Sequence, residues 1–198
     1  MLATVQHLMT CGARIVYGYT QSDEISLLLH RDDDSFNRKL RKLLSILAGE
    51  ASAAFTHHMK HVGAFDCCMS ILPNEHKVLD YFAWRAEDAH RNSLNAWCYW
   101  KLREKGKSIE EATKQLESLT VAAKNEFLFI LGINYNNLPS WQKRGIGCYW
   151  KTESRKGFNP VTGQETQVNR KVLHYELELP LTDYKPILLN LIQTSEFQ

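Results

Sequence analysis

The sequence predicts an α+β fold, an antiparallel sheet with helices on one face, followed by C-terminal helices and a β extension. Three observations predict it. Apolar, β-branched runs at residues 14–19 and 25–30 flank a polar turn, long stretches with apolar residues at helical spacing follow at 36–58 and beyond 75, and strand-like runs return near 146–151 and 168–178. Strands and helices grouped in this way, rather than strictly alternating, point to α+β rather than to a parallel α/β sheet.

Residues 4–9 read as the end of a helix that stops near Cys11 and Gly12. Thr20, Gln21, Ser22, Asp23 and Glu24 join the first two strands, which makes a hairpin with its carboxylates at the tip. Asp32, Asp33, Asp34 and Ser35 supply capping and first-turn anions for a helix over 36–58, where Leu40, Leu43, Leu44, Leu47, Ala51 and Ala54 recur at helical spacing. A third strand is expected over 64–71, ending at Pro73 and Asn74. Helical segments over 75–105 and 108–131 come next, divided by Gly106, and Ser108 followed by Glu111 opens the second with a capping-box pattern. After Gly132 the chain turns irregular through 134–139, and a turn-rich connector at 157–163 separates the last two strands. One more strand and helix at the front would complete a ferredoxin-like β-α-β-β-α-β core.

With 44% hydrophobic and 23% charged residues in 198, the chain has the apolar material of a folded domain rather than a disordered segment. Lys and Arg number 24 against 22 Asp and Glu, so any nucleic-acid binding must come from a local basic face and not from bulk charge. The five cysteines, Cys11, Cys67, Cys68, Cys98 and Cys148, are odd in number and lack paired CxxC spacing, so they read as reduced thiols in core positions. Strand alternation would send the adjacent Cys67 and Cys68 to opposite faces. No apolar run approaches the roughly 20 residues that span a bilayer, and no signal peptide opens the chain, so the expectation is a cytoplasmic protein with no membrane partner. His57, His58 and His61 lack a metal-binding motif and read as helix-end histidines.

Two readings fit Ser22-Asp23-Glu24. The residues are ordinary turn formers. They also suit a metal-dependent phosphoryl-transfer site, which needs carboxylates held near Mg²⁺ ions so that attacking and leaving oxygens are both stabilised. Asp23 and Glu24 are adjacent, so alternation would point one toward such a site and leave the other to orient a partner.

Five segments in fixed order resemble the tRNA(His) guanylyltransferase family, including its guanylyltransferase-like 3′-to-5′ polymerases: Tyr19-Thr20-Gln21-Ser22-Asp23-Glu24-Ile25-Ser26, Asp80-Tyr81-Phe82-Ala83-Trp84-Arg85, His90-Arg91-Asn92-Ser93-Leu94-Asn95, Lys124-Asn125-Glu126-Phe127-Leu128-Phe129, and Gly132-Ile133-Asn134-Tyr135-Asn136-Asn137-Leu138-Pro139. The resemblance implies a polymerase palm-like fold. It implies a nucleotidyltransferase in which a tRNA 5′ phosphate, usually activated by ATP, is attacked by the 3′-hydroxyl of GTP or another NTP. Addition of GMP to tRNA(His) and general 5′-end repair both fit.

On this resemblance Asp23 is a catalytic metal-binding aspartate, supported by Ser22 and Glu24, with Mg²⁺ as the cofactor. His90, Asn95, Lys124 and Asn134 match positions that handle nucleotide or RNA, Lys as a point charge on phosphate and His and Asn as directed hydrogen bonders. Each also has a plainer reading: His90 braces its helix, Lys124 is a solvated helical charge, and Asn134 opens an Asx-rich turn. Tyr135, Trp141, Lys143, Arg144, Lys151, Arg155, Lys156, Arg170 and Lys171 interleave cations and aromatics in a pattern that suits RNA as well as a solvated strand face. The implied partners are tRNA and nucleoside triphosphates, within a homodimer or homotetramer.

The family pattern normally begins with a strand carrying Asp-Gly-Arg, and none precedes Tyr19 here. Asp66 is followed by Cys67 and belongs to a different expected strand. The expected organisation is a palm-like catalytic region over 1–131 that lacks this strand, with a β-containing extension over 132–198 packed on the same domain. Loss of a metal-ligand strand would impair catalysis. The alternative to an active enzyme is therefore a catalytically impaired remnant that binds RNA or nucleotides, and a third reading is a nucleotide product made without RNA.

Overall fold

The structure is a computed structural model, and it describes residues 1–158, 161, 163–180 and 184–195. A four-stranded antiparallel sheet runs β2-β1-β3-β4, with β1 at Ile15–Gln21, β2 at Glu24–Leu29, β3 at Ile146–Phe158 and β4 at Glu165–Glu176. Around it stand α1 (Leu2–Leu8), α2 (Leu40–Met59), α3 (Glu75–Glu104), α4 (Ile109–Glu117), α5 (Val121–Ile130), α6 (Ser140–Arg144) and α7 (Tyr184–Ser195). The antiparallel sheet and α+β class are as the sequence predicts.

Helices cover both sheet faces rather than one. Tyr17, Tyr19 and Tyr149 meet α3 and α7 through Phe82, Ala86, Tyr184 and Leu188, while Cys148 and Ile15 meet α1 and α2 through Val5, Leu8, Leu47 and Ala51. On β3 alternation separates the two sets, since Cys148 and Tyr149 are neighbours, and on β1 the register shift between Ile15 and Tyr17 does so. The approach of α1 is close enough to require glycine in β1: a Cβ on Gly18 would lie 2.8 Å from Val5 Cγ1. Both faces of the sheet are thus apolar, which a strand read on its own does not reveal.

Other expectations are corrected locally. The helix expected from residue 36 begins at Leu40, because Phe36, Asn37 and Arg38 take φ of 56°, 53° and 54°. The acidic triplet does not cap it. Asp33 is buried instead, accepting hydrogen bonds from the Arg14 amide at 2.9 Å and the Ser35 hydroxyl at 2.7 Å, and so ties this turn to the start of β1. Residues 64–71 join no sheet. Their entry runs along α2, where Thr56 Oγ1 accepts from the Gly63 amide at 3.1 Å and Ser52 Oγ from the Phe65 amide at 2.8 Å. Burial still alternates there, and Cys67 is half-buried while Cys68 is exposed, so Cys68 is not a core thiol.

Helix α3 spans the expected stretch, with Asn74 accepting from the Lys77 amide at its N-terminus. The predicted capping box at Ser108 and Glu111 is present. The segment expected as one helix over 108–131 is divided into α4 and α5 because Thr120 caps the second, accepting from the Ala123 amide at 3.2 Å. The expected connector at 157–163 begins later, since β3 continues to Phe158 opposite Glu165; residues 159, 160 and 162 lie outside the described set. Helix α7 was not expected. Pro186 falls in its first turn, where a missing amide costs nothing, and Tyr184 and Leu188 are buried against the sheet.

Candidate functional site at the hairpin tip and the α3–α6 junction

Strands β1 and β2 pair from Ile15↔Leu29 to Gln21↔Glu24, which leaves Ser22 and Asp23 as a two-residue turn. Ser22 has φ 53°, and the Thr20 hydroxyl donates to the Glu24 carbonyl at 2.9 Å to close the return. Ser22, Asp23 and Glu24 are exposed together at the tip. Their fates differ. Glu24 is ion-paired with Arg85 of α3, whose side chain is only 12% exposed, sits 3.6 Å from Asp88 and lies 4.9 Å over the Trp84 ring. The Asp23 carboxylate forms no ion pair with any described residue.

The root of the hairpin is anchored as firmly. Tyr19 is buried, and its hydroxyl donates to the Arg144 carbonyl of α6 at 2.6 Å and approaches the Arg85 carbonyl at 3.4 Å. Burial raises the Tyr19 pKa, which Arg85 lowers and Asp88 raises again, so the hydroxyl stays a donor. Gly145 follows with φ 83°, and a Cβ there would stand 2.6 Å from the Thr20 carbonyl oxygen. Only glycine fits this passage from α6 into β3.

Arg144 leads to the second part of the site. Among the described residues three buried side-chain polar atoms have no hydrogen-bond partner, His90 Nδ1, Gln142 Oε1 and Arg144 Nε, and His90 lies on α3 while the other two lie on α6. Around them the Tyr135 hydroxyl donates to the His90 carbonyl at 3.1 Å, the His90 and Tyr135 rings lie 5.3 Å apart, and Ser93 Oγ donates to the Gln142 carbonyl at 2.7 Å. Lys143 is buried, donates to the Asn136 carbonyl at 2.7 Å and stands 6.0 Å over the Tyr135 ring. Burial first, then Arg144 and Lys143, hold the His90 pKa below its ordinary value, which keeps the imidazole neutral near pH 7. Buried polar groups are nearly always satisfied, so each of these atoms calls for a water or a polar partner. Two adjacent cations bias that choice toward an anion.

The structure brings some of the expected residues together and leaves others apart. Ser22, Asp23 and Glu24 share the tip, and Tyr19 connects the tip to the junction that holds His90. Asn134 is next to Tyr135, but its side chain accepts from the Asn136 amide at 3.1 Å, the Asx turn of its plainer reading. Lys124 is half-buried on α5, and its carbonyl accepts from Cys98 Sγ at 3.5 Å; Cys98 lies eight residues beyond His90, roughly 12 Å along α3. Asn95 is exposed. Tyr135 and Lys143 face one another in the interior and not a nucleic acid, whereas Trp141, Lys151, Arg155, Lys156, Arg170 and Lys171 are exposed.

Sequence reading missed Tyr19, Gln142 and the clamp role of Arg85, and it placed Arg144 on a surface. Tyr19 and Arg85 lie inside quoted motifs, so the signal was available. What was missing was the crossing of β1, α3 and α6 at one point. Among the described residues no group of three or more His, Cys, Asp or Glu converges, and no helix is long and apolar enough to cross a membrane. Burial pushes the Cys98 thiol up to about 11 and that of Cys148 up to about 12, which leaves neither a ready nucleophile.

Comparison with known proteins gives consistent matches. The family model described as tRNAHis guanylyltransferase matches residues 1–86, and that described as Thg1 C terminal domain matches residues 76–181. A probable tRNA(His) guanylyltransferase of Drosophila melanogaster is 35% identical over 141 residues, covering 66% of this chain and 49% of that protein. One from Dictyostelium discoideum is 31% identical over 172 residues, covering 81% of this chain and 66% of its own length. The chain thus spans about half to two thirds of these relatives. Among solved structures, the tRNA(His) guanylyltransferase of Saccharomyces cerevisiae superposes with a TM-score of 0.66 at 29% identity, covering 74% of this chain and 70% of that one. A bacterial Thg1-like protein in complex with ATP shares the fold, with a TM-score of 0.68 at 23% identity over 96% of this chain and 75% of the other.

Proposed function

Because the chain belongs to the tRNA(His) guanylyltransferase family, we propose that it serves a nucleotidyltransferase that adds GMP or other nucleotides to the 5′ end of tRNA in the 3′-to-5′ direction. The observation that carries this reading is the hairpin tip. It presents the carboxylate of Asp23, which no described residue pairs, while Glu24, Arg85 and Tyr19 fix the hairpin against the α3–α6 junction with its unsatisfied polar atoms. In this reading the RNA 5′ phosphate attacks the α-phosphorus of ATP and pyrophosphate leaves, and the 3′-hydroxyl of an incoming GTP or other NTP, giving its proton to solvent, attacks the 5′ phosphorus so activated. A new phosphodiester forms, and the activating nucleotide leaves with the bonding pair.

The residues divide this work by charge. Asp23 would hold Mg²⁺, which takes one or two carboxylates and completes its shell with substrate phosphates and water. The tip fits one such ion with a single carboxylate, since Glu24 is already neutralised by Arg85. The ion, when bound, offsets charge on the phosphoryl oxygens. At the junction, Arg144 Nε has a hydrogen to give to a phosphate oxygen, Gln142 Oε1 accepts from a nucleotide hydroxyl or amine, and neutral His90 offers a donor or an acceptor according to its tautomer. Lys124 would meet a triphosphate as a point charge on the neighbouring helix.

The test is addition of labelled GMP to a 5′-truncated tRNA with ATP and Mg²⁺. It compares this chain, the chain preceded by a strand bearing Asp-Gly-Arg, and Asp23→Ala in both. Addition that Asp23→Ala abolishes supports the reading. No addition in either form, or addition indifferent to Asp23→Ala, refutes it. A second reading, a binding remnant without chemistry, is supported by the donor set, because a two-metal site needs more carboxylates than the tip supplies. RNA or nucleotide binding without addition in both forms would select it.

A further inference from the structure

A groove opens at the far end of β1 from the hairpin tip. The β1–β3 ladder runs from Thr20↔Ile146 to Tyr17↔Tyr149 and ends there, where the β1–β2 register shifts between Ile15 and Tyr17, while β3 stays paired with β4. The second half of α7 lies against this opening. Two adjoining cavities result, of about 360 and 220 Å³, which share Trp150, Lys171, Leu191 and Thr194.

The charge that the described residues bring to this groove has one sign. Lys151 lines the first cavity, Arg14 the second and Lys171 both, and among the described residues no Asp or Glu lines either. All three cations are exposed, and none forms an ion pair with a described residue. Farther along the same β3–β4 hairpin two exposed cations are compensated, Arg155 by Glu153 at 3.0 Å and Lys156 by Glu165 at 3.7 Å. In a chain with 24 basic and 22 acidic side chains, this is a local concentration that bulk charge does not explain. Trp150, half-buried between the cavities, adds an aromatic surface, and Thr152 and Thr194 add hydroxyls.

We propose that this groove binds the phosphodiester backbone of an RNA, holding the body of the substrate while its 5′ end reaches the hairpin tip. The cations are distributed along two cavities, with one shared between them, which suits successive phosphates of a strand better than one small anion. The seven residues of β1 separate groove from tip by roughly 20 Å at about 3.4 Å per residue. That is about six phosphates along one strand of a duplex. The partner class rests on the RNA-directed reading above, but the groove can be tested without catalysis.

The experiment is fluorescence anisotropy of a 5′-labelled tRNA transcript titrated with the full chain at several salt concentrations. The triple variant Arg14→Ala/Lys151→Ala/Lys171→Ala is expected to lose at least about tenfold in affinity. Its slope of log K against log salt should be shallower by about 2 to 3, at roughly 0.7–0.9 per lost phosphate contact. Arg155→Ala/Lys156→Ala, which removes compensated cations from the same hairpin, should bind nearly as the unsubstituted chain does. An unchanged slope in the triple variant, equal losses in both variants, or no RNA binding by the chain would overturn the proposal. Groove-dependent binding without 5′ addition would leave the groove standing and remove the catalytic reading; addition with groove-independent binding would do the reverse.

Discussion

Tyr19→Phe tests the crossing on which the candidate site depends. The ring is buried, and phenylalanine keeps it, so apolar burial is unchanged and only the hydroxyl is lost. That hydroxyl donates to the Arg144 carbonyl at 2.6 Å, and without it an interior acceptor at the end of α6 faces a C–H bond. The Arg85 carbonyl, 3.4 Å away, sits inside a helix and keeps its helical partner. One unsatisfied buried acceptor costs about 1–3 kcal/mol, and the end of a five-residue helix has room to relax, so about 1–2 kcal/mol is expected. At this chain length each kcal/mol moves Tm by about 2–4 °C, which predicts a fall of roughly 2–8 °C. A thermal melt followed by far-ultraviolet circular dichroism measures it, and hydrogen exchange should show faster exchange concentrated at residues 142–145. A Tm within about 1 °C of the unsubstituted protein, with unchanged exchange there, would show that the hydroxyl does not hold α6 to the hairpin.

Three further outcomes follow from the same geometry. Arg85→Gln and Glu24→Gln should be coupled by more than about 0.5 kcal/mol in a double-mutant cycle on urea stability, whereas additivity within about 0.3 kcal/mol would mean that the ion pair does not hold the tip; Glu24 is 62% exposed, which keeps the expected coupling below about 1 kcal/mol. His90 is held below its usual 6.5, so the unfolded chain takes up a proton before the native one does. Its contribution is therefore complete above about pH 6.5 and is lost as the pH falls toward the native value, and His90→Gln should flatten the decline in stability between about pH 7 and 5.5, a parallel decline being the contrary result. With iodoacetamide at pH 7.5, mass spectrometry should find exposed Cys68 modified in the native protein and Cys98 and Cys148 modified only on unfolding, since burial both shields the latter and raises them to about 11 and 12.

What was legible in the sequence was whatever short-range chemistry decides. The hairpin at Ser22 and Asp23, the start of α3 at Asn74 and the capping box at Ser108 all follow from residues within four positions of one another. What was not legible depends on a partner distant in the chain. Residues 64–71 alternate as a strand does, but the Phe65 amide is satisfied by Ser52 of α2 and the preceding Gly63 amide by Thr56, and no pattern within the segment announces that. The acidic residues at 32–34 look like helix-capping anions, yet Asp33 is committed to the Arg14 amide 19 positions away. Helix α7 carries a proline in its first turn and few flanking signals, and what fixes it is the packing of Leu188 and of Tyr184, whose hydroxyl lies 2.7 Å from that of Tyr17, against the sheet.

The same division runs through the candidate site. Asp23 and His90 stand out in the sequence because the segments that hold them resemble those of the family; by residue type alone they read as a turn former and a helix brace. Neither explains how a tip on one hairpin is kept in register with the junction of two helices. That register comes from side chains whose types suggest nothing catalytic: Tyr19 spans β1, α3 and α6 with one hydroxyl, and Arg85 reaches from α3 to Glu24. Since a displacement of about 1 Å can cost two orders of magnitude in a positioned phosphoryl transfer, these two residues bear on rate as much as on stability. It follows that Arg85 should be sensitive even to lysine, which keeps the charge but lacks the planar fork that serves Glu24 and Asp88 together, whereas a residue that merely balanced charge at the tip would accept the exchange.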